Sequence, residues 1–402
     1  MTVKSAGSVR KSLVTAAVAV AMATTAFTPT AMARTEDQAP PGHAATQAAL
    51  EGHVSELKLP GALGQARDEN GAWNGSAGVA DRETGRKRSP EDRFRVGSVS
   101  KVFTSVVLLQ LEAEGRLSLD DTVEKWLPGV VRGNGNDGSK ITVRQLLNHT
   151  SGLFNYTDDK DFYRQIHEDY PEHRFQSQTP AELIAVALRH EPEFAPGTGW
   201  HYSNTNYILA GMIVEKVTGH RYADEIQQRI IKPLGLRGTS LPGNATNMPD
   251  PHGRAYTTLY PRNPQPDDKV HDVTEQNASW LWAAGEIIST TGDLNTFYQA
   301  LLGGRLLPAA QQKELLTTVQ VGKEPGETTR YGLGLYDYKL PSCDVRLWTH
   351  EGDIHGSKTM AASTDGGRHT AAFNLNGDWD YDFDGLAGAE FCPKVSGGGA
   401  DR

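Results

Sequence analysis

Between Val99 and Ala113 the apolar residues recur at three- and four-residue spacings and cover almost every face, which predicts a buried central helix ended by Gly115. Residues 206–217, stopped by Gly219, predict a second helix of the same all-round apolar kind. Shorter helical patterns fall at 48–57, 122–127, 142–147, 180–189, 222–231, 290–302, 308–317 and 381–392. Strand patterns lie towards the two ends. Residues 61–66 and 72–79 flank Asp68-Glu69-Asn70-Gly71, a hairpin signal, and 331–335, 345–350, 359–364 and 369–375 follow near the C-terminus. The last two are separated by Asp365-Gly366-Gly367, a second hairpin signal. Strands at both ends with helices between them imply one antiparallel sheet built from the two termini, with a helical insertion over roughly 116–285.

The chain has 402 residues and 38% hydrophobic content, enough for one large domain or two intimately packed subdomains. Its formal charge is -9, and no basic cluster is denser than Arg86-Lys87-Arg88, which sets nucleic acid aside as a partner. At the N-terminus Lys4, Arg10 and Lys11 precede an apolar run over 13–27 and then Ala31-Met32-Ala33, the order of a secretory signal cleaved after Ala33. The run is too short and too rich in Ala and Thr for a membrane anchor. Cleavage removes three positive charges and takes the net charge from -9 to -12. A secreted protein is therefore expected, with a flexible leader over 34–47 and a disordered tail over 393–402. Only two cysteines occur, Cys343 and Cys392, and export would allow a disulfide between them that pins the last helix to a strand.

Three short segments carry candidate chemistry. Ser98 stands at the start of the central helix with Lys101 one turn later on the same side, so an amine can sit beside a hydroxyl that needs activation to act as a nucleophile. Alone, Ser-x-x-Lys is better explained by a helix cap and a solvated lysine. In Tyr202-Ser203-Asn204 a phenol and an amide stand two residues apart just before the second apolar helix, and a buried tyrosine with a capping asparagine would look the same. His350-Glu351-Gly352-Asp353 lies on a predicted strand edge, where glycine permits close approach of another backbone. Two patterns lead nowhere. Gly133 to Gly138 satisfies G-x-G-x-x-G but follows a loop and leads into Ile141-Thr142-Val143 rather than a helix, and His167, Glu168 and His173 lack zinc spacing. No metal or cofactor is expected.

Ser-x-x-Lys, Tyr-x-Asn and His-x-Gly in this order resemble the penicillin-recognising serine hydrolases, class C β-lactamase-like, and most resemble secreted D-alanyl-D-alanine carboxypeptidases of actinomycetes. Phe94-Arg95-Val96-Gly97-Ser98, Tyr202-Ser203-Asn204-Thr205-Asn206 and Tyr331-Gly332-Leu333-Gly334-Leu335 carry the same likeness, which runs from about Gly61 to Cys392. The resemblance implies an α+β, β-lactamase/transpeptidase-like fold over 48–392, with the active site between sheet and helical part. It implies a Ser98 acyl-enzyme, with Lys101 and Tyr202 sharing the proton chemistry and either one the general base. By the same analogy Asn204 orients the substrate amide and Lys101, His350 hydrogen-bonds toward Tyr202, and the Ser98 and Asp353 N–H groups form the oxyanion hole. Trp280 would line the cleft, with Glu351, Gly352 and Asp353 touching substrate.

The expected partners are a small peptide, amide or ester substrate and β-lactams as acylating inhibitors, and a monomer is expected. One departure matters. Where the carboxypeptidases have hydroxyl residues and an arginine for the substrate's terminal carboxylate, this chain has Glu351, Asp353 and Tyr336. At an effective dielectric near 20, a carboxylate about 4 Å from another costs roughly 4 kcal/mol. Either the specificity has shifted toward neutral or amine-bearing substrates, as in D-aminopeptidases and esterases, or Lys339, Arg346 or Lys358 supplies a replacement cation. β-Lactamase activity is a nearer alternative, and a non-catalytic peptidoglycan-binding protein a more distant one that the intact Ser98, Lys101, Tyr202 and Asn204 argue against.

Overall fold

The computed structural model describes residues 42–259, 268–321 and 328–392. The expected secretion signal and the C-terminal tail lie outside them. So does the leader up to residue 41. The first helix, α1 (Ala44–Ser55), begins four residues before the expected start.

One eight-stranded sheet organises the molecule. Its strands are β1 (Gly61–Asp68), β2 (Gly71–Gly78), β3 (Val319–Gln320), β4 (Arg330–Tyr331), β5 (Tyr336–Lys339), β6 (Arg346–Ile354), β7 (Ser357–Ser363) and β8 (Thr370–Leu375). They lie in the order β2-β1-β8-β7-β6-β5-β4-β3, every pair antiparallel. Pairing of β1 with β8, Ala62 opposite Leu375, joins the two ends of the chain as the strand pattern implied. Asp68 pairs with Gly71 across the two-residue turn, where Gly71 adopts φ +122°.

The strand expected over 331–335 ends at Tyr331. Gly332 and Gly334, the latter at φ +95°, turn the chain, and pairing resumes in β5. β5 pairs only with residues 346–349 of β6, so the 350–354 half of β6 presents its edge to the helical part.

The sheet separates two cores. On one face Phe373, Leu375, Leu347 and Met360 pack with Leu50 of α1 and with Phe383 and Leu386 of α7, the closing helix Phe383–Phe391. On the other face Leu63, Ala361 and Ala372 meet α2 (Ser100–Ala113) and α6 (Thr291–Leu302), whose Phe103 and Phe297 rings stack 3.8 Å apart. Between α2 and α6 the chain forms α3 (Val143–Leu147), α4 (Pro180–Ala187) and α5 (Asn204–Thr218), with further short helices around them. Thr142 and Thr179 close capping boxes on α3 and α4, and Gly219 in the left-handed region ends α5. The glycine run 133–138 is a hairpin turn, Arg132–Gly133 against Asn136–Asp137. Cys343 and Cys392 form a disulfide with Cα atoms 5.8 Å apart, but Cys343 sits in the turn between β5 and β6, so the end of α7 is tied to that turn rather than to a strand. Among the described residues no helix is long and apolar enough to cross a membrane.

Candidate active site

Ser98 occupies a single 3-10 turn, Gly97–Val99, that runs directly into α2. Gly97 has φ +52°, and a Cβ there would lie 2.6 Å from the Asp353 nitrogen. Gly352 is the reciprocal case, since its Cβ would fall 1.8 Å from the Val96 carbonyl oxygen and 3.1 Å from the Ser98 nitrogen. Two glycines therefore let the β6 edge and the Ser98 turn touch backbone to backbone. The close approach foreseen at Gly352 is made, in the first place, by the chain itself.

Lys101 is fully buried. Its Nζ lies 2.9 Å from Ser98 Oγ, 2.7 Å from Asn204 Oδ1 and 2.8 Å from the Ala284 carbonyl oxygen. Burial holds its pKa well below the ordinary lysine range, and all three hydrogen-bond partners are neutral. A neutral amine donates two hydrogens to the two carbonyl oxygens and is left with its lone pair directed at the Ser98 hydroxyl. If the amine gains a proton it lies 4.9 Å above the Tyr202 ring centroid and 5.5 Å from that of Tyr207, faces that favour a cation. Asn204 is held in turn by Asn155, whose Oδ1 accepts from the Asn204 backbone N–H at 2.9 Å.

Burial pushes the Tyr202 phenol well above 10, with Tyr336 adding to the shift and a hydrogen bond with Ser98 opposing it. His350 is pushed down to about 3, first by burial and then by Lys101. Burial thus disfavours charge on every group around Ser98, favouring an uncharged amine, a protonated phenol and a neutral imidazole. His350 does not hydrogen-bond toward Tyr202 as expected. Its Nε2 lies 3.2 Å from the Tyr331 hydroxyl and its Nδ1 2.5 Å from the Glu351 carbonyl oxygen, while the Tyr202 ring is 6.3 Å away between centroids.

A cavity of about 380 Å³ opens off Ser98 and Tyr202, lined by His350, Glu351, Gly352 and Asp353 and walled by Tyr336, Tyr338, Tyr381 and Phe383. Glu351 keeps an exposed surface in the cavity, and the protein packed around its carboxyl limits its hydration. Burial, with Asp384 adding and Lys358 opposing, raises it to about 7. Lys358 also lines this space, ion-paired to Asp353 and 4.9 Å from the Tyr381 ring centroid. Lys339 and Arg346 pair with Asp344 and Asp337 instead and do not line it. Trp280 does not line it either. It is buried elsewhere, bordering a small pocket with Tyr170 and Arg174, 6.0 Å from the His355 ring, and its carbonyl accepts from the Tyr156 hydroxyl at 2.6 Å.

Sequence reasoning thus brings Ser98, Lys101, Tyr202, Asn204, Glu351, Gly352 and Asp353 together, leaves His350 beside them with a different partner, and misplaces Trp280. It missed the Ala284 carbonyl, because a backbone acceptor leaves no mark on residue type. It also missed the aromatic wall, although the alternation of Tyr336 and Tyr338 with Asp337 and Lys339 is the signature of a strand with one aromatic face.

The family model described as Beta-lactamase matches residues 46–382. Penicillin-binding protein 4* of Bacillus subtilis (strain 168) is 28% identical over 316 residues, 78% of this chain and 67% of that protein. The chain spans about two thirds of the length of the two Bacillus subtilis penicillin-binding relatives it matches. Among solved structures, a D-stereospecific amidohydrolase from Streptomyces sp. is 52% identical, with a TM-score of 0.82 over 88% of this chain and 99% of that one. A D-amino acid amidase from Ochrobactrum anthropi SV3 is 27% identical, with a TM-score of 0.71 over 83% of this chain and 91% of that one. With the family model spanning most of the fold and the serine, amine and phenol converging beside one cavity, the chain belongs to the Beta-lactamase family of serine hydrolases and penicillin-binding proteins.

Proposed function

We propose that this protein is a D-stereospecific amidohydrolase that cleaves amide bonds of small D-amino-acid derivatives through an acyl-enzyme on Ser98. The observation that carries the reading is the placement of the Lys101 nitrogen, buried, held by two carbonyl oxygens and 2.9 Å from Ser98 Oγ. Lys101 takes the Ser98 proton as the oxygen attacks the amide carbonyl, and the new ammonium is stabilised by the Asn204 and Ala284 oxygens and the two tyrosine faces. Tyr202, protonated at neutral pH, hands its proton to the leaving nitrogen and regains one from Lys101. Water then attacks the ester, with the same groups running in reverse. Such proton transfers contribute about 10²- to 10⁴-fold. The Ser98 and Asp353 N–H groups, brought near each other by Gly97 and Gly352, bind the developing oxyanion.

The amide reading over the carboxypeptidase reading is supported by the 52% identical Streptomyces relative and by the cavity's charge. Lys358, the cation in its lining, is already bound by Asp353, and Glu351 adds a second carboxylate where a substrate carboxylate would enter. An amine-bearing substrate suits that charge. The same reading has the enzyme acting outside the cytoplasm, supported by the charged-then-apolar N-terminal segment and the Cys343–Cys392 disulfide.

The test is a panel of D- and L-amino-acid amides, a D-Ala-D-Ala peptide, a short ester and a β-lactam, run on the wild type and on Ser98→Ala, with mass mapping of a fluorophosphonate adduct. Faster hydrolysis of D-amides than of the D-Ala-D-Ala peptide, lost in Ser98→Ala, is expected. An unlabelled Ser98 in turning-over enzyme would remove the nucleophile assignment, and preference for the free-carboxylate peptide would restore the carboxypeptidase reading.

A further inference from the structure

His149 follows α3 in the left-handed region, at φ +61°, and is fully buried. Its carbonyl oxygen accepts from the His201 backbone N–H at 3.1 Å, and its ring Nδ1 accepts from the Ser203 backbone N–H at 3.2 Å. The residues before and after Tyr202 are thus both fastened to one histidine. Asn206 Nδ2 lies 3.1 Å from the same Nδ1, and Asn206 Oδ1 is occupied by the Ser151 hydroxyl at 2.6 Å, so the asparagine presents its N–H₂ to the ring. Three groups thereby set the tautomer, with Nδ1 bare and the proton on Nε2. The imidazole face lies 4.4 Å from the Tyr202 ring centroid, tilted 34°.

We infer that His149 is a positioning residue for the proton-donating Tyr202, a bracket that fixes the phenol over Ser98 through the main chain on either side and through its ring face. The inference rests on the acyl-enzyme reading given above. An ordinary buried histidine would need one partner for each nitrogen. This one spends its carbonyl and its ring nitrogen on the two neighbours of Tyr202 and accepts a conformation that side chains rarely adopt. The consequence is specific to one proton transfer. An amide cannot leave as a free anion and needs the Tyr202 proton, whereas a nitrophenolate leaves without one. Loosening Tyr202 should therefore damage amide cleavage more than nitrophenyl ester cleavage, while Lys101 and Ser98 serve both.

The experiment compares kcat/KM, which reports acylation, for D-phenylalanine amide and for a nitrophenyl ester in the full-length wild type, His149→Ala and His149→Asn, with Ser98→Ala as control. His149→Ala should lower the amide value about a hundredfold, the loss expected of a 1 Å misplacement, and the ester value by no more than about threefold. Asparagine tolerates the left-handed region and keeps an acceptor close to the Nδ1 position, so His149→Asn should recover the amide value to within about tenfold of wild type. If His149→Ala does not fold, His149→Gln keeps the bulk, moves the acceptor one bond outward and is read in the same way. Equal losses on both substrates, or an asparagine variant no better than alanine or glutamine, would overturn the bracket. Undiminished turnover by Ser98→Ala would overturn the acyl-enzyme reading, and the bracket with it.

Discussion

Replacing Gly352 by alanine probes the contact on which the site's geometry depends. The added methyl would sit 1.8 Å from the Val96 carbonyl oxygen, about 1.2 Å short of the 3.0 Å that real Cβ atoms keep, and the obstacle is backbone rather than a flexible side-chain end. The β6 edge and the Ser98 turn must therefore separate by roughly an ångström, widening the gap between the Ser98 and Asp353 N–H groups. A misplacement of that size costs about 10² in rate, or about 2.7 kcal/mol of barrier, and overpacking costs a further ~1–3 kcal/mol of stability. Steady-state amide hydrolysis, fluorophosphonate labelling rate and a thermal melt measure the parts separately. Both rates should fall about a hundredfold while the protein still melts cooperatively. A folded Gly352→Ala enzyme within about threefold of wild type in kcat would refute the argument, because the strand would then be free to retreat without consequence.

Other substitutions test the electrostatics and the cross-link. Lys101→Arg replaces the amine by a permanent cation that cannot act as a base and should lower kcat by about 10²- to 10⁴-fold. In the wild type, kcat/KM should fall on the acid side as Lys101 protonates at its depressed pKa, while the alkaline limb from Tyr202 lies above pH 10, and an acid limb unchanged in Lys101→Arg would assign it elsewhere. Glu351, raised to about 7, attracts a substrate ammonium only when ionised, so KM for amine-bearing amides should rise about tenfold as pH falls through 7, and Glu351→Gln should show the high KM at every pH. A KM that ignores both pH and this substitution would place the amine elsewhere. Cys343→Ser opens a loop spanning 49 residues and should lower stability by about 4 kcal/mol, seen as a lower urea midpoint that dithiothreitol reproduces in the wild type.

The elements that the sequence made legible were those with strong periodicity. The all-round apolar α2 and α5, the two hairpins and the sheet joined from both ends all follow from the pattern of residues. The helix Lys160–Ile166 was missed although Asp159 caps it and Phe162 and Ile166 lie one turn apart, because it is short and the exposed Tyr163 among its polar residues blurs the apolar face. The strand expected over 331–335 was read from its apolar residues, which outweighed the glycines that break it. At the site, motif spacing located Ser98, Lys101, Tyr202 and Asn204. It could not say where His350 turns or which cations reach the cavity. Those depend on competition among near neighbours: the Tyr331 hydroxyl takes the imidazole, and Asp344 and Asp337 take Lys339 and Arg346.

The pairing of Ala62 with Leu375 also has a consequence for how the chain is made. At about 5–20 residues per second, a ribosome needs roughly 15–60 s to go from the first of these strands to the last. Throughout that interval the nascent β1–β2 hairpin has an open flank and no mate, and an isolated two-stranded hairpin is marginal at best. Until β8 emerges the hydroxyl, amine and phenol have no finished β6 edge to close against, so hydrolytic competence cannot precede the making of that last strand.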